Sequence, residues 1–260
     1  MKILVLVKQV PDTEEERKLD PASGALDRSA GESVADEINE RALEVALRYK
    51  DSHKGTEVVA VSMGPEAVTK SLRKALTMGA DSAVQVLDES LAGADVARTA
   101  VVLAAAVKTA GFDLVVAGNE STDGRGGVVP AMVAEHLGLP HLSFLDSVEI
   151  TGDMVRGERG TESGSIRVGA SLPAVISVTE RAAEARFPNF KGILTAKRKP
   201  LQVLSLADLG IDPATMLPLL GRSVVVSVSE RPARTAGKKT VDTGNAGIEL
   251  ADFLVAGHLV

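Results

Sequence analysis

The first half of the chain repeats one pattern four times: a short aliphatic run rich in β-branched residues, a turn, then a segment whose apolar residues recur at helical spacing. The runs fall at residues 2–7, 57–62, 83–87 and 114–117. The helical segments bring Ile38, Ala42, Val45, Ala46 and Tyr49 onto one face, then Val68, Leu72, Ala75 and Leu76. The third aligns Val96, Ala100, Leu103, Ala104 and Val107, and the fourth Val129, Met132, Val133 and Leu137. Continuous aliphatic strands with short connections bury both of their faces only in a parallel sheet covered by helices on either side. The pattern therefore predicts an α/β fold: a doubly wound, mostly parallel, Rossmann-like three-layer sheet.

Sheets of this kind hold ligands at the carboxyl ends of their strands, near a reversal of strand order. The loops leaving those ends place Lys8, Met63 and residues 119–128 around one pocket. The third loop is the richest. Gly118 closes its strand, and Asn119, Glu120, Ser121, Thr122 and Asp123 supply donors and acceptors. Gly124, Arg125, Gly126, Gly127 and Val128 then lead into a helix beginning near Val129. Glycines allow close backbone approach, and a helix N-terminus gathers free N–H groups at the positive end of its dipole, where phosphate binds. The chain contains neither a G-x-x-x-x-G-K-[ST] phosphate loop nor a G-x-G-x-x-G dinucleotide fingerprint after a strand. A nucleotide here needs another arrangement.

Composition removes several classes. There is no cysteine, which excludes disulfides, iron–sulfur ligation, thiolate zinc sites and cysteine nucleophiles. Five Phe, one Tyr and no Trp leave few stacking platforms, and a net charge of −6 disfavours a phosphate backbone, so nucleic acid is not an expected partner. His53, His136, His141 and His258 lack metal-ligand spacing, and no metal site is expected. Met1 runs straight into a strand without a secretory signal, and no apolar run reaches membrane-spanning length. A cytoplasmic protein without membrane insertion is the expectation.

Within the first half, residues 9–13 read as a loop and 14–31 as a polar surface excursion able to close as a small hairpin. The second half changes character. Residues 147–150, 154–158, 165–168 and 174–178 read as short antiparallel additions to the sheet edge. Residues 187–192 read as a loop carrying Phe187 and Phe190, followed by basic residues 197–199. Beyond Asp208 the composition loosens, and an apolar helix over 248–259 ends the chain. This divides the chain into an α/β domain at 1–204, with a recognition loop at 184–200, and an extended arm at 205–260. The arm has too little core of its own and is expected to wrap a partner subunit.

Read in order, the segments KILVLVKQVPDT, ADEINERALEVALR, VVAVSMGPEAV with RKALTMGAD, AGNESTDGRGG, and LPAVISVTERAAEARFPNFKGILTAKRKP resemble the β subunit of electron transfer flavoproteins over nearly the whole chain. The last segment is the most specific, matching the family's R-x-P-x-x-K-G-I-x-x-A-K-x-K-like signature. The resemblance implies an adenine-nucleotide alpha-hydrolase-like sheet in a heterodimer with an electron transfer flavoprotein α subunit. FAD would be shared with that subunit and AMP held by this chain, which performs no substrate chemistry itself. Electrons would arrive from acyl-CoA and other flavoprotein dehydrogenases and leave to a quinone oxidoreductase, serving fatty-acid β-oxidation.

Carried over residue by residue, the nucleotide pocket maps onto Leu6, Lys8, Asp36, Asn39, Met63 and Gly118 to Val129. The partner-recognition segment maps onto Arg186, Phe187, Phe190 and Lys191, with Lys197 to Lys199 steering association. Asp12 and Thr13 face either the FAD ring or a turn. Many relatives carry Asn-Pro-Phe where this chain has Asp36-Glu37-Ile38, and other side chains at Gly126 and Val128, so phosphate binding leans on backbone amides and Arg125. Two alternatives stay open: an electron-bifurcating relative with a second FAD in place of AMP, and an adenine-nucleotide sensor. An adenylating ATP pyrophosphatase would need an S-G-G-x-D-S-like loop after the first strand, where this chain has Lys8-Gln9-Val10-Pro11-Asp12.

Overall fold

The structure, a computed structural model, describes residues 1–214, 225–230, 232–237 and 239–260. Part of the compositionally loose stretch beyond Asp208, residues 215–224, lies outside the described residues. The strands are β1 (Lys2–Leu6), β2 (Gln9–Pro11), β3 (Ser33–Ala35), β4 (Glu57–Met63), β5 (Ser82–Val86), β6 (Leu114–Gly118), β7 (His141–Leu145), β8 (Ser147–Thr151), β9 (Met154–Thr161), β10 (Gly164–Ser171), β11 (Ala174–Val178) and β12 (Leu201–Leu204). The helices are α1 (Glu37–Ser52), α2 (Thr69–Met78), α3 (Val96–Ala110), α4 (Val129–Leu137), α5 (Phe190–Ala196) and α6 (Ala246–Ala256).

Seven strands form one sheet in the order β12-β5-β4-β1-β6-β11-β7, and every pairing in it is parallel. The chain starts in the middle with β1, builds outward through β4 and β5, then crosses to β6 on the other flank. The reversal lies at β1, which is the topological switch point. Alternation along the strands divides the core. Ile3, Val5 and Val7 point into a cluster with Leu43, Leu47, Leu72, Leu76, Val116 and Ile176. Leu4 and Leu6 point the other way, toward Val59, Leu103, Val107, Val115 and Val133. Helices α1 and α2 cover one face and α3 and α4 the other, which completes the three layers.

Helix starts follow capping chemistry. Asp36 caps α1, Asp95 accepts from the Arg98 N–H at 2.9 Å at the head of α3, and Asn189 accepts from the Gly192 N–H at 2.7 Å at the head of α5.

Several expectations are corrected. Residues 174–178 are no antiparallel addition: β11 runs parallel, wholly buried, between β6 and β7. A run buried on both faces shows no alternation that would give its direction. Strands β8, β9 and β10 are antiparallel as expected, but they form a separate three-stranded sheet. Gln9–Pro11 is a strand paired with Ser33–Ala35, and a bridge between Leu19 and Leu26 closes the intervening strap. The segment at 190–196 is helix α5, not loop, because Asn189 caps it and it packs on α2. There a Cβ on Gly192 would collide with the Thr77 carbonyl. Strands β7 and β12 form the two edges of the main sheet.

Past β12, Leu206 is buried and Leu209 and Ile211 pack on the α3 side of the core. Helix α6 buries no residue, and Ile248, Leu250, Phe253 and Val255 are exposed. Among the described residues no helix is long and apolar enough to cross a membrane.

Candidate functional site

The ends of β4, β1 and β6 lie side by side, so the segments leaving them meet. At the exit of β1, the Lys8 N–H donates to Asn39 Oδ1 at 2.7 Å, and the Asp36 N–H donates to the Lys8 carbonyl at 2.9 Å. The first turn of α1 is thereby fixed against the end of β1. Asp36 is fully buried. Its Oδ1 accepts from the N–H groups of Ile38 at 3.0 Å and Asn39 at 3.3 Å, and its Oδ2 from the Thr122 N–H at 2.7 Å. One carboxylate thus caps α1 and ties the glycine-rich loop to it. Gly118 is required for this approach: a Cβ there would collide with Asn39 Nδ2 and lie 3.0 Å from Ile38 Cγ2. Leu6 is buried beneath the site, and Met63 packs on the α3 side at the same end of the sheet.

The loop itself is held from several directions. The Asn119 N–H donates to the Val178 carbonyl at 2.8 Å, and the Arg125 N–H donates to the Ser121 carbonyl at 2.9 Å. Asp123 accepts from Lys8 Nζ at 2.7 Å, from Arg28 at 2.7 Å and from the Gly124 N–H at 2.7 Å, while Lys8 Nζ also donates to Ser121 Oγ at 3.0 Å. The Asp123 side chain is 1% exposed. Burial pushes its carboxyl up, but the bonds from Lys8, Ser121 and Arg28 outweigh this and hold it well below the ordinary carboxylate range.

These bonds narrow the expected phosphate cradle. The amides of Gly124 and Arg125 are engaged inside the loop. Among the described residues, the N–H groups of Gly126, Gly127 and Val128 meet no protein acceptor, and α4 has no side-chain cap. A Cβ at Gly126 would meet nothing within 4 Å, so that side of the loop is open. At the loop's start the Asn119 carboxamide oxygen is buried with no hydrogen-bond partner. Glu120 lies 3.9 Å from the exposed Arg125 guanidinium, a weak pairing.

Two residues of the site were not expected from sequence, Arg17 and Arg28 of the strap. Arg17 donates to the Thr122 carbonyl and, at 3.3 Å, to the Pro11 carbonyl, and Arg28 reaches Asp123. Their partners lie 105 and 95 residues away, so no local pattern marks them. Between strap and loop opens a cleft of about 500 Å³ lined by Thr13, Glu15, Arg17, Glu37, Thr122 and Arg125.

The second expected site lies around α5. Phe187 is 94% and Phe190 76% exposed, and Lys191 is exposed beside them. Arg186 is differently placed. Its guanidinium binds Glu44 at 2.6 and 3.0 Å and Asp51 at 2.8 Å, which anchors the segment to α1. Lys199 is also withdrawn from any steering role: its ammonium donates to the carbonyls of Leu76 at 2.9 Å and Ala80 at 2.6 Å, satisfying the C-terminal end of α2. Lys197 and Arg198 remain exposed. Among the described residues no group of His, Cys, Asp and Glu has a metal-binding arrangement.

The electron transfer flavoprotein domain profile matches residues 23–209. The chain is 48% identical to the electron transfer flavoprotein subunit beta of Mycobacterium tuberculosis, over 99% of both proteins. It is 35% identical to the protein of the same name from Thermoanaerobacterium thermosaccharolyticum, over the full length of both. It is 32% identical to the caffeyl-CoA reductase-Etf complex subunit CarD of Acetobacterium woodii, over 98% of this chain and 97% of that protein. The parallel sheet, the glycine-rich loop at its switch point and this end-to-end similarity lead to one assignment: the chain belongs to the electron transfer flavoprotein family, among its β subunits.

Proposed function

We propose that this chain is the AMP-binding subunit of a cytoplasmic heterodimeric electron carrier. The observation that carries the reading is the cradle at the end of β6. Three unpartnered amides, Gly126 to Val128, lie at the uncapped N-terminus of α4, and the buried Asn119 oxygen waits for a donor a few residues upstream. These groups fit an adenylate. The amides and the α4 dipole suit its phosphate, with Arg125 as an added cation, and a ribose hydroxyl or adenine amine would satisfy Asn119. Asp36 acts indirectly in this reading: both of its oxygens are already occupied, so it positions the loop.

FAD, shared with an α subunit, supplies the capacity to accept and release electrons. This chain would contribute one wall of that site, for which the open cleft at Thr13, Arg17 and Arg125 is suited. The exposed Phe187, Phe190 and Lys191 would meet flavoprotein dehydrogenases, acyl-CoA dehydrogenases among them, with a quinone oxidoreductase as acceptor. The arm beyond residue 204, with α6 exposing its apolar side chains, would clasp the α subunit.

Co-expression with an α-type subunit tests this by absorption spectrum and nucleotide extraction. One flavin and one AMP per heterodimer is the expected result. Two flavins and no AMP would replace it with the electron-bifurcating form. A colourless product without nucleotide would overturn it.

A further inference from the structure

Phe144 stands out among the apolar residues near the loop. It lies in β7 with φ of +56°, in the left-handed region that an aromatic residue rarely occupies. It is 42% exposed, while Leu142 and Leu145 on either side of it are buried, so its ring does little for the core. The neighbouring structure accommodates the irregular backbone. The pairing of β11 with β7 shifts register between Ile176 and Val178, and the Phe144 N–H donates to Ser177 Oγ at 3.1 Å. The ring is directed at the loop: a Cβ built on Gly127 would lie 3.5 Å from Phe144 Cζ. Gly127 itself has φ of +65°, and its amide is among the three unpartnered donors.

We propose that Phe144 is a positioning residue for the bound nucleotide: its ring buttresses the left-handed turn at Gly127 and so aims the amides of Gly126 to Val128. The inference rests on the nucleotide reading above and adds to it a residue from outside the loop. Strain retained at a half-exposed aromatic is explained by what the ring faces, since Asn or Gly would occupy the same backbone at lower cost.

The test uses the co-purified heterodimer, stripped of nucleotide and titrated with AMP, alongside its melting temperature. Phe144→Asn suits the left-handed backbone and removes the ring. It is expected to melt at or above the wild-type temperature while AMP affinity falls at least tenfold. Phe144→Tyr keeps the ring and extends its tip toward Gly127, and it too is expected to weaken AMP without lowering the melting temperature. Unchanged AMP affinity in Phe144→Asn would overturn the inference. So would parallel losses of affinity and melting temperature that Phe144→Leu restores together, because Phe144 would then be a packing residue. A wild-type heterodimer that binds no AMP removes the underlying reading and this inference with it, an outcome visible before any variant is compared.

Discussion

Asp123 is enclosed, charged and gripped by two cations, and its energetics follow from that geometry. Its carboxyl is held below its ordinary value of 3.8 in the folded chain, so the stabilisation is complete above about pH 4 and is lost as pH falls below that value. Lys8 and Arg28 are each about half exposed, which weakens the pairing through solvent screening. Asp123→Asn is expected to cost about 1–2 kcal/mol in urea unfolding at pH 7. The gap from wild type should narrow when the same measurement is made near pH 3. Gly118 presents a steric case. Gly118→Ala forces Asn39 off the Lys8 amide and is expected to cost about 1–3 kcal/mol, read from the same unfolding curves, with loss of bound nucleotide. Neither Arg17 nor Arg28 was legible in the sequence, because each acts across a hundred or so residues on a group that only the fold brings near. The loop they grip was legible as a loop, since glycines beside polar residues between a strand and a helix mark a turn locally.

Helix α5 shows how an element can be fixed on one side and free on the other. Gly192 allows it to sit on the Thr77 carbonyl, and Arg73 donates to the carbonyls of Ala196 at 3.0 Å and Lys199 at 3.2 Å. Phe187 and Phe190 stay in solvent. Phe190→Ser is therefore expected to leave stability within about 0.5 kcal/mol of wild type. It should reduce electron uptake from a partner dehydrogenase at least tenfold, measured as the rate of flavin reduction in the heterodimer. Unchanged reduction kinetics would remove α5 from the encounter surface. The elements themselves were unevenly readable. Strands β1, β4, β5 and β6 were legible because each leads toward a helix, α1 to α4, with a clear periodic face. Strand β11, just as buried as β6, follows antiparallel β10 instead of a helix, and nothing local reveals its direction or its neighbours. Short edge strands such as β12, with a buried residue only at Leu204, offer a weak pattern as well.

At the scale of the molecule, the main sheet is packed into the core and helix α6 is not. No residue of α6 is buried, so removing residues 246–260 takes nothing from the core. The shortened chain is expected to keep the melting temperature of the full-length subunit expressed alone. It should fail to co-elute with an α-type subunit on size exclusion, and continued co-elution would show that the clasp lies elsewhere. The main sheet, by contrast, has a consequence in time. Strands β6 and β7 are not neighbours, because β11 lies between them and arrives only after the three-stranded insertion of β8 to β10. During synthesis on the ribosome, the half made of β1, β4 and β5 can pair early, while the slot beside β6 stays open with its apolar edge unpaired until Ala174 to Val178 has emerged. A nascent chain stalled just short of that point exposes a long unfilled gap, and this is the stage at which chaperones have the most to hold.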